Sequence, residues 1–529
     1  MLYPTLVHNY LSCTARLYPD KAALIADEKR LSYNKLNCHS DRLANFLKKL
    51  GIKRQDRIII YLDNSIESVI SIYGILKASC IFVVLYNAIK PRQLKYYIDD
   101  SGAALLITHV DKANDAKDAL DGNEEGHKII WVGNSEKIPK KLSSISYEWD
   151  AIFSGYEHKG KNSFLSSVSE NNIPIIDMDL AGIIYTSGST GKPKGVMSPH
   201  LNMKAAAQSV ITYLGNTDHD IILNTLPLSF SYGLYQILMS VMFGGTVVLE
   251  KNFLYPHKVL KLIETERVTG IPIVPTIVAM LLQMNNINKY DFSSLRYITN
   301  AGAALPVEHI KRFRVLFPHV NIYSMYGLTE CKRVSYLHPE ELDKRPSSVG
   351  KAMPNCEVFI LNKDGKYAAP GEVGELVVRG SNVMQGYWND HELTSKTFRP
   401  GKLLGDIWLY TGDYFRKDEE DFLYFVSRKN DIIKIKGERV SPLEIESLIC
   451  EIEDVIEVAV VDVPDYISGQ AIKVYAVLNK ECKLTKNDIL KYCAQNLESY
   501  KLPKYIEFIN ELPKTSSGKI NKTVLKEIG

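Results

Sequence analysis

Residues 185–195, YTSGSTGKPKG, crowd Gly188, Gly191 and Gly195, the hydroxyls of Thr186, Ser187, Ser189 and Thr190, and the cations Lys192 and Lys194 into eleven positions. Glycines let backbone N–H groups approach an anion closely, hydroxyls add neutral donors, and lysines add charge, so the stretch suits a cradle for phosphate oxygens. The apolar run DLAGIIY before it predicts a strand, which puts the loop at a strand's carboxyl end, where α/β proteins bind ligands. It is not the phosphate loop of kinases and GTPases, because Pro193 stands where that pattern, counted from Gly188, needs its second glycine. The spacing does not fit GxGxxG either. A solvated Gly/Ser loop without a ligand is the bland alternative.

Elements able to position such a loop are written along the chain. DRIIIYL (56–62), AALLIT (103–108), HKIIWV (127–132) and TVVLE (246–250) read as strands and alternate with helical segments such as 33–51, which predicts an α/β fold with mostly parallel strands. Residues 111–172 are polar and read as surface connections. From about 355 to 426 short strands and Gly-rich turns predict a β-rich subdomain, and beyond Arg428 about 100 residues of alternating strand and helix predict a separate α+β domain behind a hinge.

The 529 residues imply about three or four structural units. With 45% hydrophobic residues, 24% charged and a net charge of +3, composition demands neither nucleic acid nor membrane. The longest apolar run, CIFVVLY (80–86), falls far short of the roughly 20 residues of a spanning helix. No signal peptide is expected at the start. Eight cysteines without metal-ligand spacing fit reduced thiols and a cytoplasmic location.

Further stretches follow in order: LKASCIFVVLYN (76–87), LPLSFSYGL (226–234), NAGAALP (300–306), YGLTE (326–330), GELVVRG (374–380), YTGD (410–413), SRKNDIIKIKGERVSPLEIE (427–446) and PKTSSGK (513–519). With the glycine-rich stretch they resemble the adenylate-forming superfamily of acyl-CoA synthetases, nonribosomal-peptide adenylation domains and firefly-type luciferases. The resemblance implies an N-terminal AMP-binding domain, 1–428, of two doubly wound α/β subdomains plus the β-rich one, and a mobile lid, 429–529. It implies activation of a small carboxylic acid by ATP with Mg²⁺ to an acyl-adenylate, followed by transfer to coenzyme A or to phosphopantetheine on a separate carrier protein.

The same resemblance assigns roles. Lys519 is the principal catalytic residue, contacting carboxylate and α-phosphate; Glu330 holds the metal and Thr329 bonds the α-phosphate. Thr186, Ser187, Gly188, Ser189, Thr190 and Lys194 cradle phosphates, Gly302 and Ala303 line the nucleotide and acyl pocket, and Tyr326 lies against the adenine. Asp413 accepts from the ribose hydroxyls, Arg428 contacts ribose or phosphate, Asn430 marks the hinge, and Lys434 and Gly437 shape the thiol tunnel. Phe230, Ser231, Tyr232, Met325, Gly327 and Leu328 wall the acyl pocket. Taken alone, many of these residues read as turns, core positions or surface charges.

Two departures stand out. Relatives often read Leu-Pro-Leu-Phe-His where this chain has Ser229 and Phe230, and Asp or Lys where it has Asn430. Ser231 stands where peptide-synthetase domains place the aspartate that pairs an α-ammonium. A neutral hydroxyl cannot fill that role, which argues against an α-amino acid and for an apolar aryl or acyl substrate. Lys332 and Arg333 are expected to be exposed or salt-bridged rather than to meet a second acidic group of the substrate. An acyl-CoA synthetase is the leading expectation. A free-standing ligase charging a carrier protein in secondary metabolism is the second, and a silent adenylate binder or a luciferase-like oxygenase the remainder. The chain's end, ten residues after Lys519, suggests no fused carrier domain, and the oligomeric state is left open, a homodimer being one of the alternatives.

Overall fold

The computed structural model describes residues 4–120, 127–134, 136, 138–154, 174–186, 192–284, 286–429, 431–435, 438–465, 469–479, 482–515 and 518–528. Two compact units emerge: Met1–Phe253 with Thr329–Lys332 and Ser381–Phe398, and Leu254–Leu328 with Arg333–Gly380 and Arg399–Gly529.

In the first unit, strands Ser146–Glu148, Lys128–Val132, Leu105–His109, Arg57–Tyr61, Ile81–Val84, Leu180–Thr186 and Lys194–Pro199 lie side by side in that order. Every neighbouring pair is parallel except the last, where Leu180–Thr186 turns back on Lys194–Pro199 as an antiparallel hairpin. Ile81–Val84, buried at every position, is a sheet strand, as continuous apolar runs in parallel sheets should be. A second run of strands orders Ile221–Asn224, Thr246–Leu249, Ala22–Ala26 and Lys29–Ser32. Helix Tyr33–Lys49 starts where Ser32 caps the Lys35 amide and ends on Lys48 and Lys49, the charge order a helix dipole favours.

The described residues of 111–154 outside the expected strand 127–132 pack on the sheet as well as connecting at the surface. Trp131 and Leu142 are fully buried in the cluster that holds Ile59, Tyr61 and Val83, and Ala116 and Leu120 join them. The polar composition hid this because few apolar residues are needed where each meets a sheet face. All eight cysteines are free. Among the described residues no helix is long and apolar enough to cross a membrane.

This unit also buries two imidazoles. His200 accepts the Val7 amide on Nδ1 at 3.2 Å, and burial lowers its pKa to about 4; burial, then the neighbouring His200, takes His8 to about 3. The unfolded chain binds both protons below the ordinary value near 6.5, the folded chain only well below it. Stability is therefore fully present above that value and lost as pH falls. Urea midpoints at pH 7 and 5.5 should differ by about 2 kcal/mol in unfolding free energy. Equal midpoints would refute neutral burial of the pair.

In the second unit, Gly270–Ile273, Tyr297–Asn300 and Asn321–Tyr326 run parallel, with Ser335–Leu337 and Lys351–Ala352 added antiparallel. An antiparallel sheet follows, with Cys356–Leu361, Gly374–Gly380, Ile407–Lys417 and Leu423–Arg428 as successive neighbours. After hairpin Ile433–Ile435/Glu438–Val440, strands Val455–Asp465, Gly469–Leu478 and Tyr505–Phe508 form a sheet. Its core shares Ile445, Val460, Val474, Ile489 and Ile506 with helices Pro442–Ile449 and Lys486–Asn496.

Candidate active site

At the hairpin of the first unit, Thr186 pairs with Lys194 across the mouth of the glycine-rich stretch. Ser187, Gly188, Ser189 and Thr190 lie outside the described residues. Gly195 has no room for a side chain, since a Cβ would fall 2.6 Å from Ile183 Cγ2 and 3.2 Å from the Tyr185 ring.

Segment Ser381–Phe398 binds this hairpin to the turn that bears Thr329 and Glu330. Met197 N donates to Gly386 O at 2.9 Å and Trp388 N to Gly195 O at 2.7 Å, while Met384 N donates to Glu330 O at 2.8 Å. The Tyr387 hydroxyl donates to Glu330 Oε1 at 2.7 Å, and Lys194 Nζ stands 5.7 Å from the Tyr387 ring centroid. Thr329 is buried. Thus the structure brings Lys194, Thr329 and Glu330 together through a residue the sequence reading missed. Its one signal is Gly386 beside it, at φ +120, where a Cβ would meet Thr394 Cγ2 at 2.4 Å.

The acyl-pocket candidates of this unit open helix Ser231–Phe243. Phe230 and Tyr232 meet edge to face with centroids 6.3 Å apart, and Ser231 and Tyr232 are buried. Gly233 is obligatory in this turn because a Cβ would reach Pro227 O at 2.4 Å. Of the two expectations for Lys332, exposure is overturned: it is 4% exposed, donates to Ser231 O at 3.2 Å, and sits 5.0 Å and 4.5 Å from the Tyr232 and Tyr235 ring centroids. Its backbone is left-handed, φ +62, and the aromatic faces offset the desolvation of its ammonium. Arg333 is buried as well.

In the second unit, Asp413 and Arg428 are register partners, and Arg428 Nε lies 3.5 Å from Asp413 Oδ1. The Tyr326 hydroxyl donates to Asp413 Oδ2 at 2.6 Å, and the Tyr326 ring meets Phe415 at 4.7 Å between centroids. The Thr411 hydroxyl accepts from the Asp413 amide at 3.1 Å, which fixes a strand bend at Gly412, φ +70. Three predicted residues therefore form one cluster in which Asp413, 5% exposed, has its carboxylate held by Tyr326 and Arg428.

The terminal loop reaches another predicted stretch in the same unit. Gly302 adopts φ +96, and a Cβ there would lie 3.3 Å from Lys519 Cε and 3.6 Å from Val274 Cγ1. Lys519 is presented by a turn closed around Thr515, which accepts the Lys519 amide on Oγ1 at 3.2 Å and donates its own amide to Lys519 O at 2.7 Å. Gly518, φ +77, lets that turn form. Asn300 donates to Ala303 O at 3.2 Å and holds the Gly302 turn from beneath.

Met325 is buried in strand Asn321–Tyr326, and Gly327 and Leu328 follow it half-buried. Lys434 stands on strand Ile433–Ile435 opposite Arg439. Asn430 and Gly437 lie outside the described residues.

For a metal, no group of three or more His, Cys, Asp or Glu side chains is gathered among the described residues. One carboxylate, Glu330, fits a hard cation held chiefly by phosphate oxygens and water, which is how Mg²⁺ accompanies nucleotides.

The profile described as AMP-binding enzyme matches residues 11–388, and that of the AMP-binding enzyme C-terminal domain matches residues 444–519. A long-chain-fatty-acid–CoA ligase of Escherichia coli O157:H7 is 32% identical over 99% of this chain and 94% of its own length. The o-succinylbenzoate CoA synthetase of Bacillus subtilis, solved with its acyl-adenylate intermediate, is 28% identical with a TM-score of 0.81, covering 98% of both chains. An anthranilate CoA ligase solved with anthranoyl-AMP is 25% identical with a TM-score of 0.88, covering 99% of this chain and 98% of that one.

Proposed function

This chain belongs to the AMP-binding enzyme family and is an AMP-forming acid–thiol ligase of the acyl-CoA synthetase kind, and we propose how its residues divide the work. The carrying observation is Lys519 lying along the Gly302 turn. A carboxylate oxygen attacks the α-phosphorus of ATP, the new P–O bond forms, and pyrophosphate leaves. Both partners are anions, so the step needs fixed positive charge and positioning, not a general base. Lys519 brings a mobile ammonium to the Gly302 turn, while Lys194 and the hydroxyls near it receive the outgoing phosphates. Asp413, steadied by Tyr326 and Arg428, takes the ribose hydroxyls.

Mg²⁺, when bound, neutralises phosphate charge and acts as a Lewis acid; Glu330 is the residue that would hold it. The thiol of coenzyme A then attacks the acyl carbon, the anhydride bond breaks, and AMP departs with the oxygen that came from the acid. The names of the relatives favour coenzyme A over a carrier-bound phosphopantetheine. The aromatic wall of Phe230 and Tyr232, with Ser231 between them, favours acids with an apolar body. Lys332 stiffens that wall from behind.

The test is pyrophosphate release by the purified chain with ATP, Mg²⁺ and a panel of octanoate, palmitate, benzoate, 4-coumarate and α-amino acids, without any thiol. Release with aryl or aliphatic acids and none with α-amino acids is expected. Adding coenzyme A should then yield a thioester; thioester formation only on a phosphopantetheinylated carrier protein would replace the acceptor. Absence of acid-dependent release with every member would overturn the reading.

A further inference from the structure

Glu330 enters the site with one oxygen already engaged. Tyr387 gives Oε1 a hydroxyl donor at 2.7 Å, and Tyr387 itself is 6% exposed. Its backbone is fixed from three sides: its amide donates to Thr394 Oγ1 at 2.9 Å, the next amide donates to Gly195 O at 2.7 Å, and the preceding carbonyl accepts from Met197 N at 2.9 Å. The backbone that carries the phenol is therefore held independently of the Glu330 side chain. A phenol is protonated at neutral pH, and this one is aimed at Glu330 Oε1 as a donor.

We propose that Tyr387 is a positioning residue that makes Glu330 a one-oxygen ligand, leaving Oε2 for the cation and thereby favouring Mg²⁺ over Ca²⁺. Mg²⁺ demands compact octahedral geometry and takes single carboxylate oxygens among waters and phosphate, whereas Ca²⁺ is larger and accepts two-oxygen chelation readily. A carboxylate released from its phenol can rotate to offer both oxygens. Partners behind a ligand typically change metal affinity by about 10- to 100-fold. The inference rests on the assignment of Glu330 as the metal-holding carboxylate.

The experiment titrates Mn²⁺ into the full chain with a non-cleavable ATP analogue, follows free Mn²⁺ by electron paramagnetic resonance, and competes with Mg²⁺ or Ca²⁺. In Tyr387→Phe the Mg²⁺ dissociation constant should rise about tenfold while that of Ca²⁺ changes less than twofold. Thr394→Val, which loosens the tyrosine backbone without removing the phenol, should move the ratio the same way by a smaller factor, and it serves if the first variant does not fold. Mg²⁺ and Ca²⁺ constants that shift together, or not at all, in both variants would overturn the proposal. Glu330→Gln separates the two levels. If it weakens Mg²⁺ and Tyr387→Phe does not, only the tyrosine's role fails; if it too leaves Mg²⁺ binding unchanged, the metal assignment fails with it.

Discussion

Lys519→Ala should lower acid-dependent pyrophosphate release by about a thousandfold, the cost typical of removing a donor aimed at developing negative charge. The same variant, supplied with synthetic acyl-adenylate and coenzyme A, should make thioester within about threefold of the parent chain. The asymmetry follows from position. Lys519 hangs on a short turn held by Thr515 and lies against Gly302, where it serves the step that joins two anions. In the second step the carbonyl is already activated, and the departing AMP needs no help from an ammonium held on that turn. Burst measurements of each half-reaction check this. Equal loss in both would mean that the substitution damages the fold or that Lys519 serves both steps.

Gly302→Val should reproduce that defect without touching the lysine, lowering pyrophosphate release about a hundredfold, the penalty for a misplacement near 1 Å. At φ +96 a side chain is strained, and its Cβ would already stand 3.3 Å from Lys519 Cε before the methyls are added. The backbone strain itself costs only about 1–2 kcal/mol, so the variant should remain folded. Gly302→Ala should fall between. The comparison is made on the same acyl-adenylate and pyrophosphate assays, with thermal melts alongside. Full activity in the valine variant would show that Lys519 reaches its working position by another route.

Much of this was legible in residue order. Arg57–Tyr61, Leu105–His109 and Lys128–Val132 announce themselves as largely apolar runs, because strands buried on both faces need no polar alternation. The clustering of Asp413 with Arg428 follows from a hairpin register that GDYFRKDEEDFLYFVSR nearly spells out. Other features depend on a third dimension that spacing does not encode. Lys332 stands two residues past a motif glutamate and just before an arginine, so its charge reads as solvated, yet its backbone is left-handed and its ammonium lies among tyrosine rings. Tyr387 is separated from Glu330 by 57 positions and meets it only because Ser381–Phe398 returns across the hairpin. The return strand Lys194–Pro199 is masked in sequence by its terminal proline, which an edge strand tolerates.

The most direct measurement follows one atom. With an accepted acid labelled with ¹⁸O in its carboxylate, ATP and coenzyme A, the AMP released should carry one ¹⁸O on its phosphate by mass spectrometry, because the acid's oxygen becomes the anhydride bridge and leaves with AMP. Unlabelled AMP beside an accumulating thioester would contradict attack of the carboxylate on the α-phosphorus.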